Sequence, residues 1–331
     1  MKEQALITLT SDFGLQDGYV GIIKGVIAGI APHARTIDLN HQISPQDLYA
    51  GRFILLNAYQ YFPQGTIHLA VIDPGVGSKR RGVGIRFAGG YLVGPDNGLF
   101  SGILSQSPAI SAVNLNNSSY WRTPNPSTTF HGRDIFAAVA AYLAQGVPLE
   151  ILGEIIDPDS LQQLAIAVPQ IEEDKMRGQI QYIDIFGNLI SNIPDYLLEG
   201  KNWSVQLGPK IIPTKNTYSD VPSGEIVAFI GSHGGLEIAV NSGSAQKQLH
   251  LNIGDAIEVT IDRVCWKSLL VELAVSILRV RSQESVVRRL RDRRREIIFI
   301  YSSHTPLPHY PTTPLPTDHW YGLLINSHTN I

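Results

Sequence analysis

Two sequence patterns follow one another in this chain, and their order restricts its fold more than any single motif. The first 150 residues alternate apolar strand-like runs with segments of helical spacing. Ala5–Thr10 is a β-rich run ending at Ser11-Asp12, and Ile67–Ile72 is apolar but for His68 and ends at Asp73-Pro74-Gly75. Between them, Tyr19–Ile30 reads as a small-residue helix stopped by Pro32, and Thr36–Leu39 as a short strand. Pro45–Tyr59 places Leu48, Phe53, Leu55 and Leu56 at helical spacing. Val83–Phe87 and Tyr91–Val93 flank Gly89-Gly90, a hairpin signal, and Asp134–Gln145 is an Ala-rich helix. Strands that lack polar alternation are those buried on both faces. The expectation is an α/β domain with a mixed or parallel sheet and helices on both faces.

From about residue 175 the pattern changes. Arg177–Asp184, Ser204–Leu207, Gly224–Ile230, Leu236–Val240 and Ala256–Ile261 are short strands broken by Gly, Pro and Asn. They predict a smaller all-β barrel or sandwich domain. Glu154–Leu164 reads as a linker. The resulting division is an α/β domain over 1–155, a linker over 156–174, a β-barrel domain over 175–262 and a basic, Pro/Thr-rich tail over 263–331.

Charge separates the tail from the rest. Residues 1–262 carry 16 Lys and Arg against 24 Asp and Glu, and residues 263–331 carry 10 against 5. An acidic body argues against nucleic acid as the main partner. One cysteine, Cys265, excludes a disulfide framework and a cysteine-based zinc site. The start of the chain has no uncharged run of signal-peptide length, and Leu269–Val280 is too short and too interrupted to span a bilayer. The expectation is a cytoplasmic protein with no membrane partner. The ten histidines show no metal-ligand spacing, so no metal is expected. In the tail, Trp266–Arg281 could form an amphipathic helix, Arg279–Arg295 holds eight arginines, and Thr305–Thr317 is rich in Pro and Thr. The arginine run suits nucleic acid or acidic lipid, a solvated helix, or an out-of-frame extension; the Pro/Thr/His-rich terminus favours the last.

In an open α/β sheet, ligands bind at the carboxyl ends of the strands. Three such ends carry polar clusters: Ser11-Asp12-Phe13-Gly14 with Asp17, Asp73-Pro74-Gly75-Val76-Gly77 with Arg80, and Gly94-Pro95-Asp96-Asn97. A fourth, Phe130-His131-Gly132-Arg133-Asp134, precedes the Ala-rich helix. Each alone has an ordinary reading as a turn or, for Asp134, an N-cap. Four together point to a site. The stock motifs fail. Asp12-Phe13-Gly14 lacks any upstream glycine-rich or catalytic loop, Gly75–Gly84 matches neither the phosphate loop nor the dinucleotide fingerprint, and no nucleophile elbow occurs.

In order along the chain, SDFGLQDGYVGIIKGVI, VIDPGVGSKRR, GPDNGLF, TFHGRDIFA and IDIFGNLISNI resemble the S-adenosyl-L-methionine hydroxide adenosyltransferases. That family is related to the fluorinases and chlorinases. The resemblance covers about residues 5–260. It implies hydrolysis of S-adenosylmethionine to adenosine and methionine by water or hydroxide attack at C5′, with no cofactor. The family's Asp–Arg–His set falls on Asp73, Arg80 and His131, and which of the three is the base stays open. Halogenating relatives carry an aromatic residue at the Asp73 position and another at His131. A carboxylate in a poorly screened pocket repels a halide but accepts hydrogen bonds from water.

The same resemblance assigns substrate contacts. Asp12 would take the ribose hydroxyls. Asp17 and Asp184 match acidic positions near the methionine ammonium, and Ser232 a residue at the methionyl end. Phe186 and Asn188 match the loop that meets adenine, with Val240 to Ser242 closing over it. Gln46 stands where the halogenases have tryptophan, and Gly132 resembles the chlorinase pocket. His233 stands where they have an arginine for the methionine carboxylate, a weaker anion anchor near neutral pH. The family arrangement is a homotrimer with the site between the α/β domain of one subunit and the β domain of its neighbour.

Overall fold

The computed structural model describes residues 4–261. The segments Trp266–Arg281, Arg279–Arg295 and Thr305–Thr317 and Cys265 lie outside the described residues.

The first sheet contains β1 (Leu6–Ser11), β2 (Arg35–Asn40), β3 (Thr66–Val71), β4 (Gly82–Phe87), β5 (Gly90–Pro95), β6 (Ser111–Asn114) and β7 (Glu154–Ile156). Their order across the sheet is β2-β1-β3-β5-β4-β6-β7. β2, β1, β3 and β5 run parallel, while β4, β6 and β7 are antiparallel additions. The sheet is therefore mixed. β3 is buried at every position. Its side chains alternate between two cores, with Ile67, Leu69 and Val71 in one and Ala70 in the other. The first core is filled by Ile23 and Ile27 of α1 (Tyr19–Ile30) and by Val139, Ala140 and Leu143 of α4 (Ala137–Ala144). The second is filled by Ala50 and Leu55 of α2 (Leu48–Ala58) and Ile103 of α3 (Ser101–Gln106). Burial from both sides is what removes the polar alternation from these strands. The Asp47 side chain caps α2 by accepting from Ala50 N at 2.9 Å.

The second sheet is antiparallel. Its strands are β8 (Gln170–Ile171), β9 (Lys175–Ile183), β10 (Leu189–Pro194), β11 (Trp203–Leu207), β12 (Lys210–Ile212), β13 (Ile226–Ile230), β14 (Gly235–Val240) and β15 (Ala256–Ile261). The order is β12-β11-β15-β9-β10-β14-β13, with β8 paired to β9. A bridge between Thr214 and Ala228 brings the two ends together, so the sheet is nearly a barrel. Its interior holds Met176, Ile180, Ile193, Val205, Ile212, Ile238, Ile257 and Val259, none more than 1% exposed. A short helix, α5 (Ala245–Leu249), follows β14 and is capped by Ser244.

The segment between the sheets is held rather than free. Glu154–Ile156 forms β7, at the edge of the first sheet. Leu161 is buried in the α2/α3 core, Gln162 N donates to Asp96 Oδ1 at 2.9 Å, and Asn192 Nδ2 donates to Ala167 O at 2.6 Å.

Candidate active site

β1, β3 and β5 are adjacent and parallel, so the residues after them fall on one edge of the sheet. Ser11 is in register with Val71, so Asp12 and Asp73 both follow the ends of neighbouring strands, with Asp73 one residue further along. Asp73 follows Ile72 at the end of β3, and a tight loop returns the chain to β4. Gly77 in that loop has φ +78°, and a Cβ there would collide with the backbone oxygen of Thr128. Only glycine permits both features, and the result is that the Asp73–Arg80 loop lies against the loop carrying His131.

The geometry of the three side chains is specific. Arg80 Nε donates to Asp73 Oδ1 at 2.8 Å, and Arg80 Nη2 donates to Asp73 Oδ2. Arg80 Nη2 also lies 2.8 Å from His131 Nδ1. The guanidinium stacks over the Phe136 ring at 5.2 Å. Asp73 and Arg80 are 6% and 10% exposed, so the pair is poorly screened, yet it still borders solvent. A guanidinium only donates, so His131 Nδ1 must accept and its proton sits on Nε2. Burial, then the Arg80 charge, lower the His131 pKa against the opposing pull of Asp73 and Asp134, which keeps the ring neutral. The cluster thus presents a carboxylate with unused lone pairs, an imidazole N–H donor and a fixed positive charge. That set can hold a water, accept its proton and disfavour an anion.

His131 enters α4 through a π-helical turn, Gly132–Phe136. Asp134 within it is no N-cap. It is fully buried and accepts from Arg122 Nε at 2.5 Å, Arg133 Nε at 2.7 Å, Arg133 Nη2 at 2.8 Å and Ser127 N at 2.9 Å. These donors hold its carboxyl far below the usual range even against burial. Asp134 therefore fixes the loop that carries His131. A Cβ on Gly132 would lie 3.4 Å from Phe13 and Val71. The Pro95-Asp96-Asn97 cluster is structural too. Asp96 Oδ2 accepts from Arg81 Nε at 2.8 Å and Nη2 at 2.6 Å, and Asn97 Nδ2 donates to Ile72 O at 2.8 Å.

Asp12 Oδ2 accepts from Gln46 N at 2.8 Å, leaving Oδ1 uncommitted among the described residues. Gln46 holds that position with φ +69°. Asp17 is exposed in the following turn. On the second sheet, Asp184 begins the loop between β9 and β10. Its Oδ1 accepts from Phe186 N and Asn188 N at 2.9 Å each, and its Oδ2 from Asn188 Nδ2 at 2.9 Å. The loop projects Phe186 with 72% of its surface exposed while Asn188 is buried. Ser232 is exposed, Val240 is buried in the barrel, and Ser242 sits at φ +59° in the turn after β14. His233 Nε2 lies 3.2 Å from Glu237 Oε2, and its ring meets Phe53 of α2 at 5.9 Å.

The structure thus gathers Asp12, Asp73, Arg80 and His131 on one sheet edge, and Asp184, Asn188 and His233 within one polar network on the second sheet. Among the described residues no hydrogen bond joins the two groups within this chain. Three features escaped the sequence reading. Phe13, Tyr19 and Phe130 form an aromatic cluster beside the site, with centroids 5.3 to 5.9 Å apart. All three lie inside motifs already singled out, where an aromatic next to a polar cluster was the available signal. His41 holds the Asp12 loop, with Nδ1 2.7 Å from Ser11 Oγ and its carbonyl accepting from Gly14 N at 2.7 Å. Tyr218 and Glu237 complete the network on the second sheet, and no local sequence signal marks them.

Two family descriptions match the chain: SAM hydroxide adenosyltransferase N-terminal domain over residues 7–153 and its C-terminal domain over 178–258. The chain belongs to the SAM hydroxide adenosyltransferase family. It is 38% identical over 258 residues to the (R)-S-adenosyl-L-methionine hydrolase of Salinispora tropica, covering 77% of this chain and 97% of that protein. A fluorinase from Actinoplanes sp. is more distant, at 27% over 290 residues and 77% and 97% coverage. An uncharacterized conserved protein from Thermotoga maritima has the same fold, with a TM-score of 0.72, 36% identity, and coverage of 77% of this chain and 99% of that one.

Proposed function

We propose that this protein hydrolyses S-adenosyl-L-methionine to adenosine and L-methionine. In the reaction a water oxygen bonds to C5′ as the C5′–S bond breaks, and the electron pair passes to sulfur. The sulfonium leaves as a neutral thioether, so no general acid is required. What remains is to hold the water in line with the C5′–S bond and take its proton.

The observation that carries this reading is the Asp73–Arg80–His131 cluster in a chain of this family. Asp73 holds the water and accepts its proton. Arg80 grips both Asp73 oxygens and orients the carboxylate. His131 cannot be the base through Nδ1, which Arg80 occupies, so its Nε2–H donates to the water oxygen and positions it. The paired carboxylate disfavours chloride at the same point, which favours hydrolysis over halide-dependent adenosyl transfer.

Asp12 binds the ribose hydroxyls, and Asp17 and Asp184 lie toward the ammonium group. Phe186 and Asn188 receive adenine, with Val240 and Ser242 behind it. Ser232 and His233 meet the methionyl carboxylate; the Glu237 carboxylate beside His233 weakens that anchor. Neither a metal nor a cofactor is needed. A homotrimer is part of the proposal, supported by the exposure of Ile185 and Phe186, 93% and 72%, at the tip of the adenine loop. Cytoplasmic residence matches a 331-residue chain with one cysteine. Among the described residues no helix is long and apolar enough to cross a membrane.

The test is incubation of the purified protein with S-adenosylmethionine and chromatography of the products. Adenosine and methionine in equal amounts, with kcat reduced at least about 100-fold in Asp73→Asn, support the reading. Tight binding without turnover, unaffected by that substitution, would make the protein a binding module instead.

A further inference from the structure

The polar network on the second sheet has a property that follows from its two ends. Asp184 and Glu237 are both carboxylates, and an ionised carboxylate only accepts hydrogen bonds. Tyr218 OH donates to Glu237 Oε1 at 2.8 Å, so its lone pairs face the other way. Burial first, and then the Glu237 carboxylate, push the phenol pKa well up, which keeps it a donor. Asn188 Nδ2 then donates to Tyr218 OH at 3.4 Å and to Asp184 Oδ2 at 2.9 Å. Both amide hydrogens are committed. Rotating the amide would set Oδ1 against a carboxylate. Asn188 and Glu237 are 4% and 5% exposed, so no water substitutes freely.

Asn188 Oδ1 accepts from no group among the described residues. It is not one of the fully buried polar side-chain atoms without a partner there, Thr10 Oγ1 and Ser111 Oγ, so the little surface Asn188 keeps leaves this oxygen reachable. It is an acceptor of fixed polarity on the same loop as the exposed Phe186.

We infer that Tyr218 and Glu237 are positioning residues that lock Asn188 with its carbonyl toward the base, making the site selective for 6-amino over 6-oxo purines. A 6-amino group donates to this oxygen. A 6-oxo group sets one acceptor against another and leaves both unsatisfied. The inference rests on the proposed nucleoside site. It goes beyond that site by assigning the discrimination to two residues that need not touch the ligand. Glu237 also pairs with His233, so one carboxylate orients both ends of the network.

The test is calorimetric titration of the full chain with adenosine and with inosine. The ratio of the two Kd values is read, because it is independent of the folded fraction. The wild type is expected to prefer adenosine by at least about tenfold. Tyr218→Phe removes the acceptor that consumes one amide hydrogen. Glu237→Gln allows the phenol to reverse. Each is expected to lower the ratio by about fivefold, the equivalent of one neutral hydrogen bond. A variant that lost only structure would weaken both nucleosides equally and leave the ratio unchanged. An unchanged ratio in both variants overturns the inference. So does a wild type that binds both nucleosides equally, while leaving the hydrolase reading intact. A wild type that binds neither nucleoside overturns both.

Discussion

Arg80→Lys separates the charge of Arg80 from its geometry. The substitution keeps one positive charge beside Asp73. It loses the planar fork that now meets both Asp73 oxygens and His131 Nδ1 at once. A lysine ammonium at this distance can serve one carboxylate oxygen, so about two of the three charge-assisted bonds are lost. At about 1.5–3 kcal/mol for a hydrogen bond to a charged group, and with part recovered by water, the expected loss is about 2–4 kcal/mol of transition-state stabilisation. That corresponds to a fall of about 30- to 1000-fold in kcat/KM. The pH profile gives a second readout. In the wild type His131 lies below its ordinary value of about 6.5, so kcat/KM should hold through that pH and fall only further into acid. Moving the positive charge away from Nδ1 raises the His131 pKa, and the acid limb should shift upward in the variant. The assay is adenosine release measured from pH 5 to 8. An Arg80→Lys enzyme within about threefold of wild type, with the same acid limb, would refute the claim that the fork orients this cluster.

Other consequences concern stability. Asp134→Asn removes the charge that four donors converge on and leaves two arginines beside a neutral amide; the expected cost is about 3 kcal/mol, read from the urea midpoint at constant m. His68 is buried with a pKa lowered to about 4, so the unfolded chain binds the extra proton between there and pH 6.5. Its contribution is therefore present above pH 6.5 and lost on acidification, about 3 kcal/mol by pH 4. His68→Gln should lack that component, seen as a converging difference between the two urea stability curves from pH 7 to 4.

The sequence made the first sheet's parallel strands legible because both faces are covered. Burial on two sides leaves no exposed face to carry charged residues, and β3 is buried at every position, its polar Thr66 and His68 included. The ends of β1 and β3 were equally visible, since a strand that stops at Asp12 or Asp73 stops on polar residues. Short antiparallel additions were harder. β6 and β7 have four and three residues, too few for a periodicity to develop, and β7 fell inside a stretch read as linker. The Asp134 reading failed for a different reason. An aspartate before an Ala-rich helix has the local look of a cap, but its partners Arg122 and Ser127 come from a loop whose return is set by tertiary packing. Asp96 likewise looked like a site residue and instead holds Arg81 and Gln162, 15 and 66 residues away.

The candidate site shows the same division. Asp73, Arg80 and His131 were found through motifs in order, and a hydrogen-bond chain across 51 residues then defined which atom of His131 is free. Spacing alone does not reveal Tyr218 against Glu237, a pair in which a short 3₁₀ turn meets β14 through packing of the barrel. The aromatic cluster of Phe13, Tyr19 and Phe130 also depends on how the Asp12 loop and the His131 loop meet.

The most direct measurement of the central claim is turnover of S-adenosylmethionine in water labelled with oxygen-18, with and without chloride, followed by mass analysis of the nucleoside. Water held by Asp73 and attacking C5′ predicts adenosine that carries the label at its 5′ oxygen, unchanged by chloride and absent in Asp73→Asn. A 5′-chloro nucleoside, or adenosine without the label, would contradict the account.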